Sequence, residues 1–146
     1  MARIFTTGSS DGLGLAAAQL LLEKGHSVDW RAVNPLVGAA VDGQALRQIL
    51  DLRPNLLLLG ICAIDADEGL AAFHNEDAQM KRALVQRSGS VAIAVLNEKL
   101  SASAPFQVAA VDVVGDLVVE EDAPKKVVLG FESRGIRIHW AKSSNC

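Results

Sequence analysis

The chain has no tyrosine at all, and only two tryptophans and four phenylalanines among its 146 residues. No phenol is therefore present to serve as a general acid or base. Cysteine is scarce too. Cys62 and Cys146 stand far apart with no metal-ligand spacing around them, so both read as free thiols of a reducing compartment and the expected location is cytoplasmic. No apolar run approaches the ~20 residues that a membrane-spanning helix needs. The start lacks the basic, apolar and small-residue regions of a secretion signal. The formal net charge is only −3, and the basic residues are scattered rather than grouped. Direct nucleic-acid binding is therefore not expected. His26 and His139 have no partners at metal spacing, so no metal is assigned.

What is present is a series of short apolar runs broken by glycine, proline and acidic loops. Half of the residues are apolar, enough for one sizeable core, and no linker or repeat divides the chain into more than a single domain over 1–146. Leu56 to Leu59 lies between Pro54 and Gly60 and reads as a strand buried on both faces. A polar loop comes next with Asp65, Asp67, Glu68 and Gly69, then a helix from about His74-Asn75. Ser90 to Leu96 is a second buried run, ending at Asn97-Glu98-Lys99. Together they form a βαβ unit, and ligands of such sheets gather outside the carboxyl ends of the strands.

At the other end of the chain, Arg3 to Thr6 reads as a strand. Thr7-Gly8-Ser9-Ser10-Asp11-Gly12-Leu13-Gly14 and a helix to about Lys24 come after it. A glycine-rich turn between strand and helix can cradle phosphate, because free N–H groups at the helix start point at the anion. Ser27 to Ala32 reads as an edge strand carrying Asp29 and Arg31, and Asp42 as the N-cap of a helix to about Leu52. Leu117 to Val119 and Ile136 to Trp140 read as strands, with a helix from Ala123 to about Ser133 between them. The expected fold is a three-layer α/β sandwich with a mostly parallel sheet of about five or six strands.

Two resemblances sharpen this reading. Residues 1–28 resemble the opening of short-chain dehydrogenases, with Thr7-Gly8, Gly12 and Gly14 on that family's Thr-Gly-x-x-x-Gly-x-Gly cofactor motif. The resemblance implies an NAD(P) site, but the family's catalytic Tyr-x-x-x-Lys cannot occur without tyrosine. Over about 34–141 the chain resembles the carboxyl-terminal effector domain of DeoR-type transcription regulators. The residues concerned are Pro54 to Gly60, Gly69 to Phe73, Glu76-Asp77-Ala78 with Lys81-Arg82, the Val91 to Val95 strand, Lys99-Leu100, Ala104-Pro105-Phe106 with Val108, and Asp116 to Val119. This resemblance implies a Rossmann-like fold, a phosphorylated sugar or similar metabolite as ligand, and self-association into a homo-oligomer. The family's amino-terminal helix-turn-helix has no counterpart here, and Leu96 stands where an acidic residue often precedes the lysine.

The expected function is accordingly an effector-binding, non-enzymatic module. Gly8, Ser9, Ser10 and Gly12 cradle a phosphate, Lys99 neutralises it, and Asp65, Glu76 or Asp77 accept sugar hydroxyls. Each assignment has a plainer counterpart. Glu76 and Asp77 suit the positive end of a helix dipole, Lys81 suits an i,i+4 ion pair with Asp77, and Lys99 and His74 suit solvated loops. The second reading is a catalytically inactive NAD(P)-binding fragment, and the third a folded chimera without a ligand. No resident cofactor is expected on the first.

Overall fold

The computed structural model describes residues 2–6, 19–30, 47 and 50–141. At its centre six strands form an entirely parallel sheet: β1 (Arg3–Thr6), β2 (Ser27–Trp30), β3 (Leu56–Leu58), β6 (Ser90–Ala94), β8 (Asp116–Val119) and β9 (Arg137–Trp140). Their order across the sheet is β2-β1-β3-β6-β8-β9. The α/β, mostly parallel architecture expected from the alternating runs is therefore found. Composition explains the central place of β3: Leu57 pairs beside Phe5 and Val91 and is fully buried. Fully burying a leucine side chain stabilises by about 1.5–3 kcal/mol, and only an inner strand offers that burial on both sides.

The acidic loop after Gly60 is not a loop throughout. β4 (Ala63–Asp65) and β5 (Gly69–Ala72) form a hairpin there, and β7 (Phe106–Ala109) joins it as a small antiparallel sheet in the order β4-β5-β7. Ala63, Ile64, Leu70 and Ala72 are completely buried. The hairpin escapes sequence inspection because its strands are only three and four residues long and too short to show alternation. Gly69 permits the turn, with φ +86°, and a Cβ there would run into the Ala109 carbonyl oxygen on β7.

Helix α1 (Asn75–Arg87) packs against β5 and β7. Ala78, Met80, Lys81 and Leu84 are its buried residues, so a lysine sits among otherwise apolar buried side chains. α2 (Lys125–Glu132) buries Val128 and Phe131. It ends where Gly135, at φ +82°, lets the Ile136 N–H return to the Phe131 carbonyl. Residues 19–23 are helical and lead to β2, the edge strand expected at Ser27. The helix expected from Asp42 lies mostly outside the described residues, although 47 and 50 are helical.

Asn55 sets the level at which three strands begin. Its side-chain oxygen accepts the Arg3 N–H at 2.9 Å, its own N–H donates to the Arg3 carbonyl, and its carbonyl accepts the Ser90 hydroxyl at 3.1 Å. At the far edge Asp116 accepts two bonds from the Arg137 guanidinium, at 2.9 and 2.7 Å, and lies 2.7 Å from His139 Nε2.

Two consequences are measurable. Gly69→Ala should destabilise by more than about 2 kcal/mol, since it meets both positive φ and a carbonyl. Gly25→Ala, at φ +77° with nothing near its Cβ, should cost only about 1 kcal/mol; urea denaturation of the two variants distinguishes them. The Arg137 hydrogen bonds, followed by that of His139, hold the Asp116 carboxyl below its ordinary pKa of 3.8. A depressed carboxylate pKa adds stability that is complete above about pH 4 to 5 and disappears as pH falls through the folded value. Asp116→Asn should therefore lose less Tm than the parent between pH 6 and pH 3 in a thermal melt series.

Candidate functional site

The strand order reverses at β1. From β1 the chain crosses one way to β2, then returns past β1 to β3, so β1 and β3 flank a topological switch point. The crevice at the carboxyl ends of such a pair is where open α/β sheets hold ligands. Thr6 ends β1 and Leu58 ends β3, with Gly60 two residues on. Thr6 is wholly buried, and its hydroxyl has no partner among the described residues. Gly8, Ser9, Ser10 and Gly12, the expected phosphate cradle, lie outside the described residues, as does Arg31.

Two other expected site residues are brought together from 34 positions apart. Ile64 of β4 bridges Leu100, and the Ser101 N–H donates to the Ile64 carbonyl at 2.8 Å. The Ser101 hydroxyl lies near enough to the Asp65 carboxylate to help lower its pKa. Lys99 thus directly precedes the Leu100–Ser101 segment that pairs with β4, in a 3-10 turn (Asn97–Lys99) just past β6. Ser101 has φ +56°, a conformation a non-glycine residue adopts at a cost of about 1–3 kcal/mol when its surroundings fix it.

Asp65 has a structural task. Its Oδ1 accepts the N–H groups of Asp67 and Glu68 at 2.8 and 3.0 Å and so closes the β4–β5 turn. The Glu68 N–H, then the Asp67 N–H, hold the carboxyl below its ordinary pKa, helped by Ser101 and the nearby Arg134 charge. It remains an acceptor under all ordinary conditions. Arg134 itself pairs with Asp67 at 2.6 Å.

Glu76 and Asp77 occupy the first turn of α1, as their dipole role requires. Glu76 is exposed, while Asp77 holds the buried Lys81 ammonium at 2.6 Å. The ion pair expected for Lys81 is present. Lys99 is different: it is half-buried, and its ammonium has no hydrogen bond or ion pair with the described residues. His74 is the N-cap of α1, exposed and without a side-chain capping bond.

The structure adds residues that the sequence does not single out. Asn97 donates from its backbone to Glu120 and from Nδ2 to Asp122 at 2.8 Å. Its side-chain oxygen is buried without a partner among the described residues. Both acids directly follow β8, so this cluster joins the carboxyl ends of β6 and β8. The adjacent run Glu120-Glu121-Asp122, placed just after an apolar strand, is the available signal. Among the described residues, no group of three or more His, Cys, Asp or Glu side chains could hold a metal ion, and no helix is long and apolar enough to cross a membrane.

Known proteins resemble this chain in two stretches. The family described as DeoR C terminal sensor domain matches residues 32–121. A curated relative, named an uncharacterized oxidoreductase of Emericella nidulans, is 65% identical over 34 residues. That stretch is 23% of this chain and 13% of the relative.

The two lysines should separate on substitution. Lys81→Ala, which strands a partly buried Asp77 carboxylate, should cost about 1–3 kcal/mol. Lys99→Ala should change stability by no more than about 0.5 kcal/mol. Equal losses in chemical denaturation would refute this division of roles.

Proposed function

The chain belongs to the family of DeoR C-terminal sensor domains, and on that premise we propose that it binds a phosphorylated sugar or a closely similar metabolite without transforming it. The observation that carries this reading is Lys99, an ammonium without a counter-ion among the described residues at the carboxyl edge, beside carboxylates already fixed by other bonds. An anionic ligand group there gains a charge-assisted hydrogen bond without first breaking an internal one. Asp65, on the segment that bridges Leu100, is the acceptor we assign to hydroxyls beside it, while Glu76 and Asp77 lie in the first turn of α1 with Asp77 held by Lys81. The sensor family leads us to place the phosphate at Lys99 or at Gly8 to Gly12, and the hydroxyls toward Asp65.

A second reading is an inactive dinucleotide-binding fragment. It is favoured by the glycine-rich segment after β1 and by the short identity to the fungal oxidoreductase. The absence of tyrosine leaves it without the catalytic residue of the dehydrogenase type it resembles. Both readings place the ligand at the same end of the sheet, which is why binding alone will not separate them. Lys99 will.

Thermal melts with ribose 5-phosphate, other sugar phosphates, NAD(H) and NADP(H) test the choice. A ligand at a hundred times its Kd stabilises by about 2.7 kcal/mol, a rise of several degrees in a domain of this size. The expected result is a shift with a sugar phosphate that Lys99→Ala removes. A shift confined to dinucleotides and indifferent to Lys99→Ala would replace the sensor reading with the second one.

A further inference from the structure

We propose that Asn97 is a positioning residue of the anion site, because it occupies the carboxylate that would otherwise neutralise Lys99. The proposal rests on the reading of Lys99 as the cationic anchor of the ligand. Asn97 opens the 3-10 turn that Lys99 closes, just past β6. β6 lies beside β8 in the sheet, and the chain leaves β8 through Glu120, Glu121 and Asp122. Parallel pairing thus brings a run of acids to the turn that carries the lysine.

An ammonium in such a place is expected to be neutralised. It is not: Lys99 has no hydrogen bond or ion pair among the described residues. Asn97 accounts for this. Glu120 accepts its backbone N–H, and Asp122 Oδ1 accepts its Nδ2 at 2.8 Å. Each residue of a 3-10 turn rises about 2.0 Å, so Asn97 and Lys99 stand about 4 Å apart along its axis. The flexible four-carbon stem of a lysine spans that distance. Asp122 is exposed, so its carboxylate is able to turn toward Lys99 once its amide partner is gone.

The amide of Asn97 carries the mark of this task. Its Oδ1 is buried without a partner among the described residues, and a buried acceptor left alone calls for a reason. Turning the amide over would set that oxygen against the Asp122 carboxylate and lose the Nδ2 bond. Asp122 therefore fixes the amide in the orientation that leaves Oδ1 unpaired. The other acids near Lys99 are placed differently. Asp65 is closed onto the N–H groups of its own turn. Glu98 is exposed and adjacent to Lys99 in sequence, where side chains of a helical turn do not face each other.

The test is the acetylation rate of Lys99 in the full chain, read by peptide mass spectrometry after brief exposure to an amine-acetylating reagent. Exposed Lys24 serves as the internal standard. A carboxylate paired with an ammonium favours its charged, unreactive form. Asn97→Ala keeps the backbone bond to Glu120 and releases Asp122. Lys99 should then react about two- to fivefold more slowly, the span of an exposed ion pair. Adding Asp122→Asn to Asn97→Ala should restore the parent rate. A merely structural Asn97 predicts the opposite, since a loosened turn exposes Lys99 and a second substitution loosens it further. Asp122→Asn alone, which leaves the backbone bonds of the turn in place, should not alter the rate.

Three results would each overturn the proposal: faster acetylation in Asp122→Asn, no slowing in Asn97→Ala, or no recovery in the double variant. Slowing of Lys125 or Lys126 in place of Lys99 would overturn it too. Melts of the same variants with ribose 5-phosphate report separately on the sensor reading. A shift lost in Asn97→Ala and regained in the double variant would support both, whereas a shift that Lys99→Ala removes and Asn97→Ala leaves intact would overturn the positioning role alone.

Discussion

The level at which β1, β3 and β6 begin is the constraint on which the rest of this molecule depends. Asn55 fixes it with one side-chain and two backbone bonds. In a parallel sheet that level decides both edges. With their starts aligned, the strands' carboxyl ends emerge together, and whatever the connecting segments carry is gathered at one edge. Asn97 and Lys99 come from the segment after β6, Glu120 and Asp122 from the one after β8, and Gly60 from the one after β3. The same alignment gathers the segments that enter the strands at the other edge. The segments that leave the strands and those that enter them are thus ordered by the two ends of one hydrogen-bonded register.

Electrostatics then divides the charged residues into those used up by the fold and those left over. Lys81 is nearly buried on the apolar stripe of α1 and has Asp77 at 2.6 Å. A buried ammonium without such a partner would cost several kcal/mol. Asp65 is engaged in the β4–β5 turn, Asp116 with Arg137 and His139, and Asp67 with Arg134. Lys99 remains without a partner among the described residues, as do the exposed Arg3, Arg53 and Arg87 side chains. Exposed ion pairs contribute at most about 1 kcal/mol, so stability does not demand partners for these residues. Their availability is a property that binding can use.

Much of this is legible in the residues, and the part that is not has physical reasons. The Leu56 to Leu59 and Val91 to Val95 runs can be read as inner strands because burial on both faces leaves no polar alternation to interpret. Gly135 and the Ile136 to Trp140 alternation mark the last helix end and strand in the same way. The small sheet stays hidden because Ala63–Asp65 and Gly69–Ala72 are too short to carry a period, and an acidic turn between them looks like a loop. Asp65 looks like a free carboxylate for the same reason: only the turn reveals that its oxygen is already engaged. Contacts such as Asp65 with Ser101 and Asn97 with Asp122 join residues 36 and 25 positions apart, and no local pattern encodes them.

The small sheet also bears on how ligand binding could be felt elsewhere. Its β4–β5 hairpin touches the carboxyl-edge segment through the Ile64–Leu100 bridge and the Ser101 N–H bond to the Ile64 carbonyl. From the same turn, Asp67 reaches Arg134, three residues before β9, and Ala66 packs against Gly130 of α2. One short turn therefore contacts both the loop that carries Lys99 and the segment that enters the edge strand. A ligand can shift a conformational equilibrium only by its difference in affinity for the two states. The carboxyl-edge loop includes Ser101 at φ +56°, held there by a backbone bond to Ile64. A ligand that drew Lys99 or Asp65 toward itself would act on that bond first. The hairpin, rather than the rigid parallel sheet, is the element through which such a change would travel.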